Sequence, residues 1–73
     1  MDEETAKGMK MRGEMAIREL VSILDADQIK EHCSDEEFVQ IKRGIGLSIA
    51  LIGTELVSVV YRQYPELDPI KNS

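Results

Sequence analysis

Residues 38–60 read FVQIKRGIGLSIALIGTELVSVV, and the periodicity of this stretch decides the fold. Phe38, Ile41, Ile45, Ile49, Ile52, Leu56 and Val60 recur at spacings of three and four, which places them on one face of an α-helix. Val59 sits beside them. The spacing follows an eleven-residue period, which suits nearly straight packing better than a left-handed coiled coil. A second face, about 120° around the helix at 3.6 residues per turn, holds Val39, Gly46, Ala50, Gly53, Val57, Tyr61 and Tyr64. The remaining sector carries Glu37, Gln40, Ser48, Glu55, Ser58 and Arg62, interrupted by Leu47 and Leu51. One partner helix cannot cover two apolar faces, so this helix is expected at the centre of more than a hairpin.

The flanking residues set its limits. Ser34-Asp35-Glu36-Glu37 is a helix start signal, with Ser as N-cap, acids in the first turn and Glu at the third position. Tyr64 precedes Pro65, which disfavours helical backbone there, and Pro69 discourages a restart. The long helix is therefore predicted over residues 35–63, with 65–73 as an extended tail. Upstream, Ala6, Met9, Gly13, Ala16, Leu20 and Ile23 or Leu24 keep helical spacing, widened by Ile17, Val21 and Leu24, and predict a helix over 3–24. Acidic Asp2, Glu3 and Glu4 suit its N-terminus. Asp25-Ala26-Asp27-Gln28 breaks the pattern, and Asp25 is expected to cap a short helix over 26–32, with Gln28 reaching back. The fold class is all-α: a helical hairpin in one small domain, residues 1–73.

All five glycines, at 8, 13, 44, 46 and 53, fall inside predicted helices. Each costs about 1 kcal/mol relative to alanine in a helix interior. Close approach between helices, at Gly13-Ala16 and at Gly46-Ala50-Gly53, is the expected offset. A two-helix monomer would also leave a large apolar patch exposed. The hairpin is thus expected to pair with a second copy as a dimeric four-helix bundle. Its packing residues are expected to be Phe38, Ile41, Ile45, Gly46, Ile49, Ala50, Ile52, Gly53, Leu56, Val57 and Val60.

Charge and composition narrow the function. Fourteen acidic residues against nine basic give a net charge of −5, spread along the chain. Lys7, Lys10, Arg12 and Arg18 form the densest basic stretch, but Glu14 and Glu19 interleave with it and no aromatic accompanies it. That pattern argues against nucleic-acid binding. Ile45 to Val60 is the only long apolar run. It is short of the roughly 20 residues a bilayer requires and contains Glu55, so no membrane span is expected. A single Cys and the acidic start fit a cytoplasmic protein.

Candidate chemistry is sparse. His32 and Cys33 are adjacent, but no second His or Cys completes a zinc set. Neighbouring helical side chains also diverge by about 100°, too far for a nucleophile and base pair. Met9, Met11 and Met15 have soft thioethers that suit Cu(I), but at this spacing they read first as core filler and next as a re-packable partner-facing surface. Glu55 is a lone carboxylate among apolar neighbours, and its polar sector implies a solvated role. Gly44-Ile45-Gly46 lacks the rest of any phosphate-binding loop. No catalysis, cofactor or metal is expected. The sequence points to a self-associating adaptor or regulator of protein–protein interactions, with Tyr61, Tyr64 and Leu67 as the expected surface for an unidentified protein partner. The alternative is an acidic inhibitor, immunity- or antitoxin-like, of a basic nuclease or nucleic-acid-binding protein.

Overall fold

A computed structural model describes residues 1–70, of which 87% are helical, with no strand among them. The helices are α1 (Glu3–Asp25), α2 (Asp27–His32), α3 (Asp35–Leu51) and α4 (Ser58–Gln63). A π-helical segment, Ile52–Val57, joins α3 to α4 without interruption, and a 3-10 turn covers Pro65–Leu67. That turn replaces the start of the expected extended tail: the prolyl ring at its first position presets the turn, closed by Asp68 N–H donating to the Pro65 carbonyl. Residues 71–73 of that tail lie outside the described residues.

The helix starts follow from their caps. Asp2 accepts from the Thr5 backbone N–H at 2.8 Å and opens α1. Ser34 Oγ accepts from Glu37 N–H at 3.1 Å, while Glu37 Oε1 accepts from Ser34 N–H at 2.9 Å, a complete capping box. The expected Asp25 cap does not form. Asp25 is the last residue of α1, and Ala26, with no side-chain acceptor, stands at the N-cap of α2. One extended residue is all that separates the two helices, so Asp25 stays within the first.

α1 packs antiparallel along α3, the π segment and α4. Tyr64 Oη donates to the Met1 carbonyl at 2.7 Å, and the Met1 amine donates to Gln63 Oε1 at 3.3 Å, joining the open ends of the hairpin. The core is small: Ala6, Ile45, Val57 and Val60 are its buried apolar residues. Phe38, Ile41, Ile49 and Ile52 are half-buried beside them, as are Met9, Ile17, Leu20 and Leu24 of α1.

Val57 and Leu56 exchange the places that uniform α periodicity assigns them. Val57 is only 7% exposed, whereas Leu56 stands 44% exposed. The buried stripe runs Ile45, Ile49, Ile52, Val57, Val60, and its step of five residues is the π turn itself, where hydrogen bonds close i→i+5. The wider winding carries Val57 from the second face onto the core face. There it meets Gly13: a Cβ at Gly13 would lie 2.9 Å from Val57 Cγ2 and 3.8 Å from Ile52 Cγ2. Close approach within the chain is thus confined to Gly13. Ideal Cβ positions at Gly8, Gly44, Gly46 and Gly53 meet nothing within 4 Å, and Ala16 is exposed.

The molecule measures 45 × 22 × 17 Å, with a radius of gyration of 15.2 Å. A compact chain of this length has about 11 Å. Elongation leaves one long side of the hairpin uncovered.

Candidate functional site

The uncovered side belongs to α3 and its continuation. Glu36, Gln40, Arg43, Leu47, Ala50, Leu51 and Thr54 follow one another at helical spacing, and all are exposed. They lie opposite the stripe that packs on α1. Leu47 and Leu51 are 58% and 60% exposed, and Val39 at the margin is 64% exposed. An exposed leucine alone means little, but two leucines one turn apart, joined by Ala50 and flanked by Gly46 and Gly53, make a continuous apolar strip.

Charges bracket the strip. Arg43 and Glu36 stand on its N-terminal side, Glu55 and Arg62 on its C-terminal side, and all four are exposed. Glu55 is therefore a surface carboxylate. The ion pairs among the described residues, Glu3–Lys7 and Lys10–Glu14, both lie within α1, so none engages these four groups. Arg62 instead donates to the Ser58 carbonyl at 3.3 Å and to Ser58 Oγ at 3.4 Å. Neighbouring hydroxyls turn back onto their own helix. Ser48 Oγ donates to the Gly44 carbonyl at 2.8 Å, Thr54 Oγ1 to the Ala50 carbonyl at 2.9 Å, and Ser58 Oγ to the Thr54 carbonyl.

Residues expected to pack a dimer divide between two sides. Ile45, Val57 and Val60 are buried within the chain, and Phe38, Ile41, Ile49 and Ile52 are half-buried; Gly46, Ala50, Gly53 and Leu56 remain open. Tyr61, Tyr64 and Leu67 are half-buried at the end of the hairpin, where Tyr64 is engaged with Met1. Partial burial raises the Tyr61 hydroxyl above its usual value, helped by the carboxylates of Asp68 and Glu14, so it is a neutral donor at physiological pH.

The chemical candidates are not brought together. His32 is exposed at the end of α2, Cys33 is half-buried, and no group of three or more His, Cys, Asp or Glu side chains converges among the described residues. Met11 and Met15 are 56% and 54% exposed on the side of α1 away from the core, which corrects their reading as core filler; Met9 alone is half-buried. The reason is angular: with Gly13 facing the π segment and Ala6 buried on the same side, positions 11 and 15 fall on the far side of α1.

Asp35–Gln63 is also long and apolar enough to cross a bilayer by length and composition, with 17% of its most apolar window buried. This exceeds the expectation from Ile45–Val60 alone, because helix continues on both sides of that run. No family model, curated protein or solved structure matches the chain.

Proposed function

We propose that this chain is a non-catalytic helical interaction protein that self-associates through the outward face of α3 and presents the paired surface to another protein. The carrying observation is the extent of uncovered surface. The chain exposes 5623 Å², whereas a compact monomer of its mass exposes about 4,500 Å². The excess, about 1,100 Å², exceeds the roughly 800 Å² per partner of a standard protein interface. The apolar strip of Leu47, Ala50 and Leu51 lies within that surface. Among the acids at the start of α3, on which an inhibitor of a basic partner would draw, Glu37 is engaged in the helix cap with Ser34.

Sedimentation velocity from about 1 to 100 μM, a range in which ordinary homodimers form, tests the reading. A species of twice the chain mass is expected. A single species of 8.2 kDa throughout would overturn it.

A further inference from the structure

We infer that the second copy docks antiparallel across the outward face of α3, about a two-fold axis beside residue 49, with Arg43 opposite the partner's Glu55. This inference rests on the self-association just proposed and adds its orientation, register and electrostatic code.

The outward face is self-complementary about residue 49. Leu47 and Leu51 stand two residues to either side, Arg43 and Glu55 six, and Glu36 and Arg62 thirteen. Each of these three pairs is apolar with apolar or acid with base. A perpendicular two-fold axis superposes such pairs, because it makes residue i of one copy meet residue j of the other and the reverse. Leu47 then packs on the partner's Leu51. On either side Arg43 meets the partner's Glu55, and further out Glu36 meets the partner's Arg62. Two-fold symmetry doubles every contact, giving four opposite-charge pairs around a leucine centre. π turns hold more residues than α turns, so the C-terminal arm is slightly the shorter. An arginine side chain spans the difference.

The same charges exclude the other arrangement. In-register parallel docking sets Glu36 on Glu36, Arg43 on Arg43, Glu55 on Glu55 and Arg62 on Arg62, and like charges in contact disfavour association. A bilayer is a poorer occupant, because burying this face takes Glu55 into apolar surroundings and leaves Glu36, Arg43 and Arg62 unpaired at its edges. A second copy supplies each of them with a counter-ion.

Charge reversal in the full chain tests the register. In sedimentation equilibrium, Arg43→Glu and Glu55→Arg should each raise the dimer dissociation constant about tenfold or more, since each variant turns two attractive contacts into two repulsive ones. The double variant R43E/E55R restores opposite charge at both sites and should return the constant to within about threefold of wild type. Circular dichroism of each variant separates lost association from lost helix. Dimers indifferent to the single reversals, or a double variant weaker than both singles, would overturn the register and leave self-association standing. A wild-type chain that stays monomeric overturns both, as does a monomer that binds phosphatidylcholine vesicles through this face. Orientation has its own readout in a Cys33→Ser background. Gln40→Cys and Ser58→Cys chains, when mixed, should form the mixed disulfide in preference to either symmetric one. Predominance of the symmetric disulfides would overturn the antiparallel docking.

Discussion

Gly13 shows how one missing side chain fixes the packing of the hairpin. A methyl group there would come within 2.9 Å of a Val57 methyl that is itself buried and β-branched, so neither can yield cheaply. Gly13→Ala is expected to destabilise the fold by about 1–3 kcal/mol, as overpacking does, despite its better helix propensity. Gly44→Ala, where the new Cβ meets nothing, should stabilise by about 0.5–1 kcal/mol. Urea denaturation followed by circular dichroism measures both. The sequence places all five glycines in helices, but spacing alone does not separate the one under a neighbour from the four in open space. That distinction depends on where Val57 lies.

Caps act at the same scale and carry the pH dependence. Hydrogen bonds with the Ser34 backbone and side chain hold the Glu37 carboxyl below its ordinary 4.5. Bonds from Thr5 likewise hold Asp2 below 3.8. Folded-state values below the unfolded ones mean a contribution that is present above the ordinary values and lost as pH falls through the depressed ones. The melting temperature should therefore be lower at about pH 3 than at pH 7, with a smaller difference in the Asp2→Asn/Glu37→Gln variant. Ser34→Ala should cost about 1 kcal/mol at neutral pH.

Among the elements, the long helix was readable from sequence in extent but not in winding. The start at Ser34 and the stop before Pro65 are local signals, and both appear where side-chain chemistry places them. The π segment has no such signal. Leu56 and Val57 are both apolar, so either can continue the stripe from Ile52, and only packing against Gly13 selects the second. If the segment holds one residue more than an α-helix requires, deleting Thr54 should leave a continuous helix with Val57 and Val60 still facing α1. Its melting temperature should stay within about 5 °C of wild type, a change of under roughly 1 kcal/mol. Deleting Arg43 rotates everything beyond it by about 100° and should abolish cooperative melting.

For the whole molecule, two elongated helical layers enclose a core of a few side chains, and a chain this small gains about 3–5 kcal/mol from such a core. The association proposed through the outward face would add to that by mass action, so the melting temperature should rise with protein concentration between about 5 and 500 μM. A melting temperature independent of concentration would count against the paired molecule. The sequence made the two-sided character of α3 visible, because Leu47 and Leu51 interrupt its polar sector. It did not show which side the chain covers itself. By spacing, the apolar residues of the long helix divide into an isoleucine face and a small-residue face; the fold covers the first and leaves Leu47 and Leu51 outside.

The hydroxyls of Ser48, Thr54 and Ser58 carry one further consequence. Each is already bonded to a carbonyl one turn back, so its strongest donor is spent inside the helix. Each hydroxyl oxygen can still accept from water, but none has a proton left to give. A neighbour arriving at these positions therefore meets fewer open donors than the composition implies. Burying the three residues leaves only their oxygen lone pairs for a partner to satisfy.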